Sequence, residues 1–334
     1  MSGAACTVVI PNYNGRRFLP ALMASLAAQT RRDFEVVVVD DGSRDDGVDY
    51  LRREWPGVRV RVNGRNLGFA GTCNAGLREA GTPFVALLNN DTHVAPDWLA
   101  EALTPFDDST VGSVASLVLL ADPPHAIDTA GDLYSVVGGA MKRLHGAPRE
   151  QAAGLRLDIF SACGASAFYR RVALDEVGLL DAALVSYYED VELGFRLQLA
   201  GWRCVLAPRS ICYHHLNSSY SPTGWTMHYH SSRNAEIVWW SRMPPLLRRR
   251  YLPARLIFLA LQFGAELLRG RAASFLAGKR DAWRMRVAIS QRRVAAARFT
   301  RVSHAAMDRR LTHNWWALQA QPRFRRLRQM LGWR

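Results

Sequence analysis

Four clusters of oxygen-bearing side chains interrupt an otherwise ordinary apolar pattern: PNYNG at residues 11–15, DDGS at 40–43, NNDT at 89–92 and YYED at 187–190. A pair of histidines, His214 and His215, follows in the stretch YHHLNSS. Asn-Gly and Asp-Gly-Ser are common turn chemistry, because short polar side chains bond their own backbone and glycine supplies positive φ. Carboxylates at the start of a helix are favoured by its dipole, which is the plain structural account of Glu189 and Asp190. The same groups also move protons and hold cations. A positioned carboxylate serves as general acid or base, and hard divalent cations take oxygen ligands.

The segments between these clusters alternate in type. Residues 5–11 (ACTVVIP), 34–40 (FEVVVVD) and 84–88 (FVALL) are short β-branched or apolar runs, the pattern of parallel strands covered on both faces. Residues 58–62 form a further strand candidate. The spacing of Phe18, Leu22 and Leu26 predicts a helix over 17–30, and others are predicted over 71–80, 96–103 and 186–201. In the last of these, Val191, Leu193, Phe195, Leu197 and Leu199 include the buried stripe. Alternation of this kind predicts an α/β domain with a mostly parallel central sheet. Ligands of such sheets sit beyond the carboxyl ends of the strands, where PNYNG, DDGS and NNDT fall. Neither GxGxxG after the first strand nor GxxxxGK[ST] is present, which argues against a dinucleotide fold or a P-loop.

Apolar residues make up 49% of the 334 and charged ones 22%, enough for an ordinary packed core. The net charge of +14 is unevenly placed. Residues 1–230 hold 20 Lys+Arg against 25 Asp+Glu, whereas residues 231–334 hold 23 against 4. A basic segment of this kind meets something anionic. Within it the apolar run 256–268 contains Gln262 and Glu266 and falls short of the ~20 residues that span a bilayer. The expectation is a basic amphipathic helical region over 241–334, following a domain over 1–240. Its helix would lie in a membrane interface with Arg248, Arg249 and Arg250 at anionic headgroups. An oligomer contact, including a homo-oligomer, is the alternative. The five cysteines, Cys6, Cys73, Cys163, Cys204 and Cys212, show no CxxC spacing and read as reduced thiols of a cytosolic protein. The first apolar run, 7–11, reads as a strand rather than a signal peptide.

The ordered series PNYNG, DDGS, NLGFAGTCN, LLNNDT and YYEDVELGFRLQLAGW resembles the family-2 inverting glycosyltransferases of the GT-A fold. The likeness covers residues 5–240 and is greatest to the bacterial branch containing rhamnosyltransferases and other cell-surface polysaccharide enzymes. No single motif carries it; five in order do. The resemblance implies metal-dependent, inverting transfer of a single sugar from a UDP-, dTDP- or GDP-linked donor to a hydroxyl of a glycan or lipid-linked acceptor. It places Pro11, Tyr13 and Asn14 at the nucleoside, and Asp40, with Asp41 beside it, at the base or ribose. The 66–74 loop, with Asn66, Gly68 and Asn74, would approach the donor, glycine allowing close backbone contact. Asn89-Asn90-Asp91 stands where the family has DxD. Asn89 and Asn90 would touch the donor and Asp91 would hold Mg²⁺ or Mn²⁺; Asn89 in place of the first Asp removes one charge.

By the same resemblance Asp190 is the general base, with Glu189 orienting it or binding acceptor, and Cys163, Gly164 and Tyr188 lie on the acceptor side. His214 would reach the metal or diphosphate, with His215 as its rival and Ser218, Ser219 and Ser221 beyond. Arg233-Asn234 matches a pair in which the Arg could meet the diphosphate. The QxxRW signature of processive synthases is absent, so one sugar per encounter is expected. The implied location is cytoplasmic, peripheral on the inner face of the membrane. Two other readings compete. A nucleotidyltransferase would need a glycine-rich basic signature after the first strand, which PNYNG does not supply. A nucleic-acid-binding protein driven by the basic segment would show aromatic RNA-binding motifs, zinc spacing or a helix-turn-helix, and none is legible. No nucleic-acid partner is therefore expected.

Overall fold

The computed structural model describes residues 3–216 and 224–316. In chain order the N-terminal half runs β1 (Cys6–Asn12), α1 (Leu19–Ala27), β2 (Phe34–Asp40), α2 (Gly47–Glu54), β3 (Arg59–Val62), α3 (Gly68–Glu79) and β4 (Phe84–Leu88). Apart from α2, for which no helix was expected, these elements match the expected alternation to within a few residues. The chain continues through β5 (Thr92–Val94), α4 (Trp98–Leu103), β6 (Val111–Leu120), β7 (Ile127–Thr129), β8 (Asp132–Tyr134), β9 (Ala140–Lys142), β10 (Ser166–Arg170) and α5 (Arg171–Val177). Then follow α6 (Glu189–Ala200), β11 (Arg203–His214), α7 (Trp225–Arg242), α8 (Pro245–Leu268), α9 (Ala272–Arg284), α10 (Arg286–Ala296) and α11 (His304–Arg310).

Nine strands form one sheet in the order β3-β2-β1-β4-β10-β6-β11-β5, with β7 pairing to β6. Strands β1 to β4, β6 and β11 run one way, while β5, β7 and β10 oppose them. The sheet is therefore mixed but mostly parallel, as expected. Pleat alternation sends Val9, Val37, Val39, Val85 and Leu87 to one core and Val8, Ile10, Val38, Ala86 and Leu88 to the other. Both faces are covered, which is why these strands read as continuous apolar runs. The carboxyl ends of β1, β2, β4 and β11 open at one edge. β10 enters the sheet from that same edge, so Cys163 and Gly164, just before it, arrive beside NNDT.

A third core joins α6 to the C-terminal helices. Val191, Phe195 and Leu199 pack with Ile237, Trp239, Leu247, Phe258, Ile289 and Met307. Helix α8 extends the expected apolar run of thirteen residues to 24, taking in Arg248, Arg249 and Arg250. By length and composition it is able to cross a membrane. Its buried side nevertheless packs on the domain, through Leu247, Arg255 and Phe258.

Candidate active site

The strand ends are knitted together by side-chain amides. Asn12, at the end of β1, donates through Nδ2 to Asp40 Oδ2 at 2.9 Å, and accepts from Asn90 Nδ2 at 2.9 Å. Gly15 is required at this junction, because a Cβ there would lie 2.0 Å from Asn90 Nδ2. The other oxygen of Asp40 accepts from the backbone N–H groups of Gly42 and Ser43, at 3.1 and 2.9 Å. Asp40 thus builds the turn after β2. It is Asp41 that lies on the wall of the cavity, where it accepts from Asn63 Nδ2 and from the N–H groups of Leu67 and Gly68, at 2.9, 2.9 and 3.0 Å. Gly68 holds φ +72° with Val185 against it, so this loop start admits only glycine without strain.

The cavity itself is about 800 Å³, within the usual range for a ligand site. Of the residues expected at the site, Pro11, Tyr13, Asp41, Asn66, Gly68, Asn89, Asn90, Asp91, Cys163, Gly164, Tyr188, Glu189, Asp190 and His214 all line it. Asn14, Asp40 and Asn74 do not. Asn14 joins the first two loops, accepting from Arg44 N–H at 2.8 Å while its own N–H donates to Ser43 Oγ at 2.8 Å. Asn74 is a buried strut whose amide meets both the C=O and N–H of Leu180, at 2.8 and 3.0 Å. These three side chains shape the cavity from behind its wall.

At one end of the cavity His214 Nε2 lies 3.2 Å from Asp91 Oδ1, and His214 Nδ1 lies 3.0 Å from Asp128 Oδ2. Asp128 is fully buried and also accepts from Lys142 Nζ at 2.7 and 2.8 Å. Burial opposes a charge on His214, but hydrogen bonds to Asp128 and Asp91 outweigh it and lift its pKa to about 9. Burial likewise acts on Asp128, and the hydrogen bonds from His145 and His214 with the charge of Lys142 hold its pKa far below the usual carboxylate range. A carboxylate behind an imidazole is the arrangement that fixes the tautomer of a metal-ligating histidine. Nearby, Asn89 Oδ1 is buried without a partner. Asp91, this orphaned oxygen and His214, once its Nε2 proton is displaced, are a donor set that fits a divalent cation. His215 turns elsewhere: its ring lies 5.7 Å from Phe18 and 5.5 Å from His93. Ser218, Ser219 and Ser221 lie outside the described residues.

At the other end, Asp190 accepts from Gly164 N–H through Oδ2 at 2.9 Å and from Val191 N–H through Oδ1 at 2.8 Å. Backbone amides, rather than Glu189, aim this carboxylate, and Glu189 Oε2 is buried without a partner. Asp132, Cys163 and Asp190 bring ligand atoms within 4.8 Å of one another. Burial raises the pKa values of Asp132 and Asp190, and the charge of Asp190 pushes Asp132 further up. Two backbone donors favour the anion at Asp190, whereas among the described residues the Asp132 carboxyl accepts from Ser161 Oγ alone, at 3.1 Å. The geometry therefore favours the anion at Asp190 over Asp132, whose pKa is pushed up the further of the two. Burial and the Asp190 charge raise Glu189 too.

Asp190 sits on a strained support. Val185, Tyr187 and Tyr188 hold φ of 66°, 69° and 70°, the left-handed region that side chains of this size disfavour. Asn234 of α7 holds them there: its Nδ2 donates to the C=O groups of Leu184, Ser186 and Tyr187 at 2.9, 2.9 and 2.7 Å. Arg233 donates to the C=O groups of Ala183 and Leu184 at 2.9 and 3.1 Å, and is not on the cavity wall. The pair expected near the diphosphate is instead a clamp on the loop that presents YYED. Asn234→Ala is expected to lower kcat by ~10²-fold, the effect of a displacement on the order of 1 Å at a reacting group. Val185 of the same loop packs on Gly68 and accepts from Ala70 N–H at 2.9 Å, so KM for the donor should rise as well; an unchanged kcat would refute the clamp.

Sequence reasoning did not single out Asp128, Asp132 or Lys142. They lie in residues 121–160, where short strands give no periodicity, and the one signal available was two aspartates four apart in DTAGD.

The fold is the GT-A fold. Its neighbours include GalNAc-T7, solved with UDP, GalNAc and Mn²⁺ (TM-score 0.58, 20% identity, covering 71% of this chain and 48% of that one). Another is the mannosyltransferase PcManGT of Pyrobaculum calidifontis, in complex with GDP-Man and Mn²⁺ (TM-score 0.52, 19% identity, covering 88% and 86%). Residues 7–178 match Glycosyl transferase family 2, and the chain belongs to that family. Its relatives include the N-acetylglucosaminyl-diphospho-decaprenol L-rhamnosyltransferase of Mycobacterium tuberculosis, 28% identical over 62% of this chain and 75% of that protein. The O-antigen biosynthesis protein RfbC of Myxococcus xanthus is 28% identical over 64% of this chain but only 17% of its own length. An uncharacterized protein of Sinorhizobium fredii, 29% identical, is matched over 24% of its length.

Proposed function

We propose that this glycosyltransferase inverts configuration, requires a divalent cation, and transfers one sugar from a UDP-, dTDP- or GDP-sugar to a hydroxyl of a glycan or lipid-linked acceptor. The observation that carries the reading is the convergence of Asp91 and His214, from strand ends, and Asp190, from the start of α6, on one cavity. The rhamnosyltransferase relative, named for a decaprenol-linked acceptor, supports the acceptor class. Synthesis of bacterial surface polysaccharide at the inner face of the cytoplasmic membrane is the setting this implies.

In this reading Pro11, Tyr13, Asp41 and Asn66 receive the nucleoside, and Asn89 and Asn90 steady the diphosphate. Asp91 and His214 would hold Mg²⁺ or Mn²⁺, which neutralises charge on the departing diphosphate. Asp190 takes the proton of the acceptor hydroxyl as that oxygen attacks the anomeric carbon. The bond from that carbon to the phosphate oxygen breaks on the opposite face, and the nucleoside diphosphate leaves with the bonding pair. One positioned carboxylate suffices on the protein side, because the leaving group departs as an anion rather than needing an acid.

The test is a panel of nucleotide sugars, each measured by thermal shift with and without Mn²⁺, followed by the anomeric configuration of any product. One donor should raise the melting midpoint only when metal is present, since a ligand that binds only the folded state stabilises it. No stabilisation by any donor with metal, or a product of retained configuration, overturns the proposal.

A further inference from the structure

We propose that helix α8 lies in the plane of an anionic lipid surface and seats the enzyme there through one apolar face bracketed by arginines. From Leu256 onward, Leu256, Ile257, Ala260, Leu261, Leu267 and Leu268 are exposed. At helical spacing they share a single side of α8. They are not marginally exposed: Leu256 and Ile257 are each 58% accessible and Leu268 is 90%. Arg249 and Arg250 are exposed two turns before this face and Arg269 at the C-cap, Arg250 and Arg269 also lying 3.2 and 3.1 Å from Asp308 and Glu266. An apolar strip with guanidinium groups at both ends is the arrangement of an interfacial helix, whose apolar face enters the acyl boundary while the cations remain among the headgroups.

The opposite side of α8 decides between lying on a membrane and crossing it. Arg255 is buried, its Nη2 donating to Glu236 Oε1 at 2.6 Å and its guanidinium stacked 4.4 Å from the Trp239 ring centroid. Phe258 meets Trp315, and Tyr251 Oη donates to Asp308 at 2.9 Å. Crossing a bilayer would strip this side from the domain and place Arg255 in hydrocarbon without its partner. A helix packed on one side and apolar on the other has only an in-plane solution. Charge selects the occupant. Residues 231–334 carry 23 Lys+Arg against 4 Asp+Glu, so the same face of a second copy would oppose like charge with like, whereas anionic headgroups complement it.

The inference stands apart from the transfer chemistry, since vesicle binding is read without donor or acceptor. The full chain is sedimented with vesicles of phosphatidylcholine alone and of an equimolar mixture with phosphatidylglycerol. It should pellet with the mixture, and salt should weaken the binding. The triple variant Leu256→Glu, Ile257→Glu, Leu261→Glu should lose detectable binding. Arg249→Gln with Arg250→Gln should weaken it about 30-fold, from ~1 kcal/mol per basic residue near the surface. All five positions are exposed, and an unchanged melting midpoint confirms the fold of each variant; the arginine pair keeps the test decisive should the triple variant fail to fold. Absence of binding to the anionic vesicles overturns the inference, as does undiminished binding of the triple variant. A lipid-free dimer that the triple variant dissolves, with no vesicle binding, assigns the face to a second copy and overturns it equally.

Discussion

Asp190→Asn is expected to lower sugar transfer by ~10²–10⁴-fold in kcat, the usual contribution of a positioned base, while donor binding measured by thermal shift stays close to that of the parent. The asparagine keeps the shape but has one acceptor where the carboxylate has two. Its NH₂ group must face either Gly164 N–H or Val191 N–H. A loss of about 1 kcal/mol in folding stability should accompany the change, from one missing hydrogen bond. Asp132→Asn provides the contrast. It imitates the protonated carboxyl that the geometry favours at Asp132, and should retain transfer to within ~10-fold, because no base is removed. Transfer that survives Asp190→Asn but not Asp132→Asn would reverse the two roles.

The same pair sets a pH dependence. As the proposed base Asp190 would act as the anion, and burial raises its pKa above the usual carboxylate value. Activity must therefore rise with pH through that elevated value, placing the acid limb above the ~3.9 of a free aspartate. Asp132, Cys163 and Glu189 surround Asp190 and are themselves pushed towards their neutral forms, chiefly by burial. Lys142 is the nearby cation that works the other way. An acid limb at the free-aspartate value would show that Asp190 is hydrated in solution and not enclosed as described.

Glu192→Ala should have the largest effect on stability. Two residues after Asp190, the Glu192 carboxylate is buried between Arg196, whose Nη2 donates at 2.8 Å, and Arg242, whose Nε donates at 2.6 Å. Arg196 also donates to the C=O groups of Val177, Gly178 and Leu179. Removing the carboxylate leaves two guanidinium groups buried without a counter-charge, a change worth about 3–5 kcal/mol. Denaturant melts should show a lower midpoint at unchanged slope. Burial works against the Glu192 charge, but Arg196 and Arg242 outweigh it and hold its pKa below the ordinary value. A depressed carboxylate contributes stability that is present above its unfolded pKa, about 4.3, and is lost as pH falls through the folded value. The parent should accordingly lose this increment in acid and the variant should not. A shift below about 1 kcal/mol would place the pair among surface-like bridges and refute the account.

Much of the fold was legible because the strands of the first half are buried on both faces. Phe34–Asp40 and Phe84–Leu88 have the expected bounds. Helix α6 begins at Glu189 rather than 186, since Val185, Tyr187 and Tyr188 adopt a backbone their residue types disfavour. Asn234 and Arg233, some fifty positions later, hold this loop there. Helix α8 outran its apolar run because Arg255, Tyr251 and Phe258 are held by tertiary partners that composition does not reveal.

Residue type and period alone set the strand and helix alternation, the polar ends of β1, β2 and β4, the carboxylate pair opening α6 and the placement of positive charge, all of them local properties. Which polar groups face the cavity is settled by long-range contacts. Asp40 and Asp41 are adjacent and chemically identical, yet the first closes a turn and the second faces the cavity. His214 and His215 divide in the same way, one towards Asp91 and Asp128, the other towards Phe18. Asp128, Asp132 and Lys142 enter from a segment with no legible period. The reason is one of sequence separation: the pleat decides which side a residue takes, but strand register and loop placement come from contacts made tens of residues away.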